Sequence, residues 1–298
     1  MNRKGLDMIF GIIANGDRDI DFVFSRYAAK LIREAGCEVV VDPSFQHTSL
    51  GTDPHVTVSG YENCDLIFCI GGDGTFLVAV HEHFAKEKPF IGINQGSIGF
   101  LTEIQPEQFP EALKRLINKD YTIDDRMQLD VSVYDKNGHR KTEGICMNDV
   151  VIARGQLLKV FSMDLFVDGD YVECLSGDGV ILSTPTGSTA YSLAAGGPIV
   201  KPEIDVILIT PICPHTLHNR SYVVSPDSKV ELRIATYSEP PLISLDGRNG
   251  VPLELRDRIV VSRSNTPMKI ARLGELSFYQ TIRKKIHARG SFYEDEQK

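Results

Sequence analysis

An α/β domain followed by an all-β domain is the fold class that this sequence predicts, and three observations carry it. Up to about residue 125, short apolar runs alternate with helix-length segments, the layout of a mixed domain. Beyond about residue 126 the runs become short and alternate apolar with polar, separated by turn residues. A length of 298 residues is enough for two such domains, each with its own core.

The elements follow in order. Met8–Ala14 reads as a strand, Ile20–Ala35 as a helix stopped by Gly36, and Cys37–Val41 as a second strand. Asp65–Ile70 is a strand, Thr75–Lys86 a helix, Phe90–Asn94 a strand and Pro106–Asn118 a helix. Four strands separated by helices imply a parallel, doubly wound sheet, in which ligands sit beyond the carboxyl ends of the strands. Leu129, Val131 and Val133 then alternate before the turn Asp135-Lys136-Asn137-Gly138, and Val230–Ile234 and Ile259–Val261 continue the style. Phe278, Ile282 and Ile286, at i, i+4 and i+8, give a last helix with one apolar face and with Arg283, Lys284 and Lys285 elsewhere on its surface. The expected domains are 1–125 and 126–275, with a helix over 276–290 packing back on the first and a polar tail at Tyr293–Lys298.

Composition excludes several classes. Apolar residues make up 42% and charged residues 24%, and no apolar run approaches the roughly 18 residues that span a bilayer. Met1-Asn2-Arg3-Lys4 with the apolar run after it imitates a signal peptide, but Asp7 interrupts the pattern and Asn15-Gly16-Asp17 offers no cleavage site, so a first strand is expected. A formal charge of −8 speaks against nonspecific binding of nucleic acid or anionic membrane, which needs a positive field. Cys37, Cys64, Cys69, Cys146, Cys174 and Cys213 are scattered without a CxxC pair, which predicts reduced thiols in the cytoplasm, with neither disulfides nor structural zinc. His81 and His83 diverge on a helix, and His215 and His218 lack a third ligand, so no metal site is expected.

Two segments carry chemistry. Gly71-Gly72-Asp73-Gly74-Thr75 joins a strand to a helix, where glycines let the backbone approach a phosphate and first-turn amides point at its oxygens. A carboxylate repels polyphosphate, so Asp73 needs another task, such as accepting a proton from an attacking hydroxyl. The pentapeptide alone suits a tight turn with an exposed Asp equally well. The second segment is Ser183-Thr184-Pro185-Thr186-Gly187-Ser188-Thr189-Ala190-Tyr191-Ser192, followed by Ala194-Ala195-Gly196-Gly197-Pro198. Its hydroxyls and amides suit a polar ligand and Tyr191 offers a flat surface; the bland alternative is a Ser/Thr-rich surface loop, weakened by the missing charges. Asn148-Asp149 and Gly177-Asp178-Gly179 put acidic groups at strand edges, either to meet ribose hydroxyls or an adenine edge or simply because Asp and Asn favour turns.

Together these motifs resemble the NAD kinase family over most of the chain. A GGDGT loop and an STPTGSTAYS-type segment occur here in the family's order, about 110 residues apart, and Gly96-Ser97-Ile98-Gly99-Phe100-Leu101 and Pro214-His215-Thr216-Leu217 look like further family segments. The resemblance implies a Rossmann-like N-terminal domain and a C-terminal β-sandwich of the NAD kinase and diacylglycerol kinase type. The implied reaction is transfer of the γ-phosphate of ATP to the 2′-hydroxyl of the adenosine ribose of NAD, giving NADP. Asp73 would be the general base, and Gly71, Gly72, Gly74 and Thr75 would hold phosphate. Asn148 and Asp149 would bind the ribose region, and Asp178 the nicotinamide amide or an adenine edge, often from a neighbouring subunit. Thr189, Ala190 and Tyr191 would line the adenine pocket, with Leu77 and Phe100 adding apolar contacts; Ser176, Ser192 and Cys213 complete the nucleotide-binding set. In this resemblance the Gly71–Thr75 loop faces a dinucleotide pocket of the second domain, and a homotetramer with composite sites is implied.

The chain departs from the family pattern at three places. Asn148-Asp149 stands for the usual Asn-Glu, Arg248 for the Gln after Asp-Gly, and Ala194 for a Ser; Lys159 falls where a basic or imidazole group is common. Phosphoryl transfer needs alignment and charge neutralisation, so Mg²⁺ arriving with ATP is sufficient. A lipid or sphingoid-base kinase shares the glycine loop, yet the sequence has no basic amphipathic helix exposing large apolar residues near the site. A noncatalytic dinucleotide-binding regulator would have no use for Asp73. An oxidoreductase and a P-loop enzyme are disfavoured by the lack of GxGxxG after the first strand and of GxxxxGK[ST].

Overall fold

The computed structural model describes residues 8–82, 88–96, 99–155, 159–216, 220–248, 250–274 and 276–290. The signal-like N-terminus, the end of the predicted helix at 83–86, Ser97, Ile98, Leu217, the polar tail, and with them His83 and His218, lie outside the described residues. The chain divides into two compact units, residues 1–125 with 269–298, and residues 126–268.

The first unit begins with β1 (Ile9–Ala14), α1 (Val23–Glu34), β2 (Glu38–Val41), β3 (Thr57–Val58), β4 (Leu66–Gly71), α2 (Asp73–Glu82), β5 (Phe90–Asn94), β6 (Thr102–Ile104), α3 (Phe109–Ile117) and β7 (Thr122–Arg126). The second holds β8 (Leu129–Tyr134), β9 (Arg140–Cys146), β10 (Asp149–Ala153), β11 (Phe161–Val167), β12 (Asp170–Gly177), β13 (Gly179–Ser183), α4 (Tyr191–Ala194), β14 (Ile207–Ile212), β15 (Tyr222–Val224), β16 (Val230–Thr236), β17 (Leu242–Leu245), β18 (Val251–Pro252) and β19 (Arg258–Arg263). The chain then returns to the first unit with β20 (Met268–Arg272) and α5 (Phe278–Gly290).

The first sheet runs β3-β2-β1-β4-β5-β20-β7, with β6 also on β5. β1 is parallel to β2 and to β4, and β4 to β5. Every residue of β4 is buried, which is why Leu66–Gly71 reads as an unbroken apolar run. Phe10 stacks on Phe68 at 5.3 Å, and Phe109 of α3 meets Phe68 edge-on at 5.3 Å. Strand order reverses between β1 and β4, so the loops leaving their carboxyl ends flank the switch point at which doubly wound sheets bind ligands.

One helix starts later than its sequence suggests. The α-helix begins at Val23 rather than Ile20, because Asp21 and Phe22 take positive φ angles of 52° and 53°. The buried Asp19 carboxylate imposes that kink: it accepts the N–H groups of Phe24 and Ser25 at 2.9 Å each, serving the first orphan donors of the helix.

In the second unit, two antiparallel six-stranded sheets run β15-β14-β13-β10-β17-β18 and β12-β11-β16-β19-β8-β9. Residues of both sheets, among them Leu129, Val131, Val150, Ile152, Leu165 and Leu182, share one core, the plan of a β-sandwich. The alternation in β8 alternates burial as well, and its hairpin to β9 closes with Gly138 at φ 85° and the Asp135 carboxylate accepting the Asn137 and His139 amides.

Candidate active site

Asp73 is the first residue of α2, one glycine beyond the end of β4. The turn is tight because Thr75 folds back: its hydroxyl accepts from Asn15 Nδ2 at 3.2 Å and from the Gly72 amide at 3.4 Å, and a Cβ on Gly71 would collide with it. Asn15 directly follows β1, so the two loops flanking the switch point are tied together. The Gly72 amide is thus engaged within the loop. The first helical hydrogen bond runs from Phe76 N to Gly72 O, which leaves the amides of Asp73, Gly74 and Thr75 with no acceptor inside the helix. A side chain at Gly72 or Gly74 would meet nothing within 4 Å, so the backbone is open to a ligand there.

The Asp73 carboxylate is held from three directions. Oδ2 accepts the Phe100 amide at 2.9 Å and the Lys285 ammonium at 2.9 Å, and Oδ1 accepts the Leu101 amide at 2.9 Å. Lys285 also lies 4.1 Å from the centre of the Phe100 ring, a cation–π contact, and Phe278 of α5 meets that ring at 6.4 Å. The Phe100 carbonyl in turn accepts from Arg272 of β20 at 3.3 Å. A Cβ on Gly99 would strike Asp73 Oδ1 and Thr102 Oγ1, so glycine is required there. Burial pushes the Asp73 carboxyl up, but the Lys285 charge and the two amides outweigh it and hold the pKa below the ordinary carboxylate value. Leu77 is partly exposed on the same helix.

The second unit gathers Asn148, Asp149 and Asp246. Asp246 takes a left-handed φ of 49° and accepts the amides of Met147 at 2.7 Å, Asn148 at 2.7 Å and Asp149 at 2.9 Å. The Asn148 carbonyl accepts the Thr184 amide at 2.9 Å, and a Cβ on Gly187 would collide with that carbonyl. The β10 motif and the start of the hydroxyl-rich segment therefore form one corner. Burial first and the Asp246 charge second push the Asp149 carboxyl up to about 7.

Most hydroxyls of that segment have structural partners rather than free positions for a ligand. Thr184 Oγ1 donates to Met147 O at 2.6 Å, Ser188 Oγ to Pro185 O at 2.6 Å, and the buried Ser192 pairs with Thr210 at 3.1 Å. Of the segment, Thr189 and Ala190 are partly exposed and Tyr191 is 46% exposed at the start of α4, with Ala194 exposed at its end. Asp178 pairs with Arg154 at 3.1 Å, and Ser176 is half-buried on β12. Cys213 is exposed at φ 43°, Arg248 is exposed with its Nε on Leu245 O at 3.3 Å, and Lys159 is exposed in a loop.

Two residues of these constellations have no functional role in the sequence reading: Asp246 is not singled out there, and Lys285 is placed on the helix surface, whereas its side chain is 15% exposed. Spacing gives its helix face, since residue 285 is seven from Phe278, but not its partner. Among the described residues no group of three or more His, Cys, Asp or Glu side chains could hold a metal ion. No described helix is long and apolar enough to cross a membrane.

Comparison with known proteins agrees across both units. The ATP-NAD kinase N-terminal domain family matches residues 10–121 and the ATP-NAD kinase C-terminal domain family residues 147–273. An NAD kinase of Acetivibrio thermocellus is 36% identical over 287 residues, covering 94% of this chain and 97% of that protein. One from Desulforamulus reducens is 40% identical over 223 residues, covering 75% of this chain and 77% of that protein. Among solved structures, yeast NADH kinase complexed with NADH superposes with a TM-score of 0.85 at 25% identity, covering 98% of this chain and 90% of that one. An NAD kinase from Archaeoglobus fulgidus in complex with ATP gives 0.73 at 25% identity, covering 93% and 99%. On both its domains and over nearly its whole length, the chain belongs to the NAD kinase family.

Proposed function

We propose that Asp73 is the general base as the chain transfers the γ-phosphate of ATP to the 2′-hydroxyl of the adenosine ribose of NAD. The observation that carries this is the Asp73 carboxylate on the first turn of α2, ionised at neutral pH and fixed in orientation by the Phe100 and Leu101 amides. In the step, the ribose oxygen bonds to the γ-phosphorus, the bond from that phosphorus to the β,γ-bridging oxygen breaks, ADP leaves, and the hydroxyl proton passes to Asp73. The amides of Gly74 and Thr75, aided by the helix dipole, take the phosphate oxygens.

Ribose and adenine recognition is assigned to Asn148, Asp149, Thr189, Ala190 and Tyr191. Asp149 is one methylene shorter than the family's Glu, so its contact is direct at a changed angle or bridged by water. Mg²⁺ would enter with ATP and supply charge neutralisation on the phosphates, beside the open amides of Gly74 and Thr75. A homotetramer is supported by the family resemblance. Cytoplasmic location is supported by six free cysteines.

Purified protein given ATP, Mg²⁺ and NAD should form NADP, detected with an NADP-specific dehydrogenase. Phosphorylation of diacylglycerol with none of NAD would reject the assignment. Asp73→Asn keeps the side chain's size, removes most of the basicity and turns one donor toward the Phe100 or Leu101 amide, so kcat should fall by about 10²–10⁴ while NAD binding, measured directly, holds. Near-normal turnover would reject Asp73 as the base.

A further inference from the structure

Lys285 occupies the position where a base would have to be free. Each carboxylate oxygen has two lone pairs, and Oδ2 of Asp73 uses both, one on the Phe100 amide and one on Lys285. Oδ1 uses one on the Leu101 amide. The charged or titratable groups about this carboxylate are Lys285 from α5 and the buried Cys69 thiol from β4, whose pKa burial raises first and the Asp73 charge raises further; Arg272 acts through the Phe100 carbonyl. Lys285 is therefore the sole cation in direct contact with Asp73 among the described residues.

The same ammonium has a stronger anion within reach once a donor is bound. Asp73, Gly74 and Thr75 form one helical turn, so phosphate oxygens on those amides lie a few ångströms from the carboxylate. A triphosphate carries several negative charges against one on Asp73, and a lysine is a compact charge with three donors on a flexible stem. One donor points to Asp73 and the charge rests over the Phe100 ring, which leaves donor capacity for phosphate.

We propose that Lys285 is a positioning residue that passes from Asp73 to the transferred phosphoryl group when ATP binds, freeing Oδ2 to take the ribose proton. This rests on Asp73 being the base. In the free protein the ion pair keeps the carboxylate charged and quiet. In the complex the cation neutralises phosphate charge as it lets the base go, so one movement serves both needs of the reaction.

The test compares Lys285→Met and Lys285→Arg with the parent in pH profiles over pH 4–8. The profile of kcat/KM for ATP reports the protein before ATP binds, and that of kcat the full complex. In Lys285→Met the acid limb of kcat/KM should move up by about 1–3 pH units, the effect of removing a neighbouring cation, whereas the limb of kcat should stay in place. Its kcat should fall about 10- to 100-fold, and Lys285→Arg, which keeps the charge, should restore most of it. Equal movement of both limbs would mean that Lys285 never leaves Asp73 and would overturn the handover. Unmoved limbs, or parental kcat in Lys285→Met, would overturn it too. Asp73→Asn separates the two readings: an active Asp73→Asn protein removes the base itself, while an inactive one beside unmoved limbs in Lys285→Met removes only the role of Lys285.

Discussion

Asp149 and Asp246 are exchanged hydrogen-bond partners along the backbone and repelling charges at their side chains. The Asp246 amide donates to the Asp149 carbonyl at 2.9 Å, while the Asp149 amide donates to Asp246 Oδ1 at 2.9 Å. Asp246 accepts three amides, whereas Asp149 is 5% exposed, and burial first and the Asp246 charge second push its carboxyl up.

The first consequence is a pH dependence of stability. An unfolded Asp titrates near about 3.9, whereas Asp149 in the fold is pushed up to about 7 by burial and by Asp246. A raised folded pKa means that its contribution is full below about pH 4 and is lost as pH rises through about 7. Asp149→Asn removes this titration, so against the parent it should gain on the order of 2–3 kcal/mol between pH 5 and pH 8 in urea unfolding. An unchanged difference across that range would place the Asp149 pKa elsewhere.

Asp246→Asn should act in the opposite sense. It retains a residue tolerant of φ 49° but replaces one accepting oxygen by a donor that faces amides. The cost should be about 2–4 kcal/mol at pH 5 and smaller at pH 8, where relief of Asp149 compensates. A loss that is larger at pH 8 would contradict the coupling.

Gly74→Ala separates phosphate binding from stability. The added methyl meets nothing within 4 Å and φ at this position is not positive, so the helix should gain about 0.5–1 kcal/mol in thermal unfolding. If phosphate rests on this amide, kcat/KM for ATP should still fall at least about 10-fold. Full activity in the stabilised protein would move the phosphate off Gly74.

Gly187→Ala should do the reverse. Its methyl would drive into the Asn148 carbonyl, which is backbone and cannot swing aside. A loss of about 1–3 kcal/mol is expected, with a raised KM for NAD and little change in that for ATP. A stable Gly187→Ala protein with parental kinetics would separate Asn148 from NAD recognition.

Four strands of the first sheet, β1, β2, β4 and β5, are legible in the sequence because burial leaves unbroken apolar runs, as in Leu66–Ile70, whereas β3, β6, β7 and β20 carry no such run. The GGDGT turn and the hydroxyl-rich segment were legible because few backbones need those residues together. What escaped depends on distant partners. The start of α1 is set by Asp19 reaching Phe24 and Ser25, and Asp246 looks like any turn acid until Met147, Asn148 and Asp149 are folded over it. Lys285 lies 212 positions from the carboxylate that it touches, a pairing no local pattern encodes. The hydroxyls of Thr184, Ser188 and Ser192 look available to a ligand in the sequence but satisfy backbone and neighbours in the fold.

The return of β20 between β5 and β7 sets an order of assembly during synthesis. Residues 126–268 hold every strand of their sandwich, whereas the sheet that carries Asp73, with β6 already on part of β5, lacks the strand that pairs Phe90 and precedes β7 in the order until Met268–Arg272 is made. The Asp73 carboxylate thus belongs to the unit whose sheet is completed last, and a nascent chain holds every strand of the sandwich before that sheet is whole.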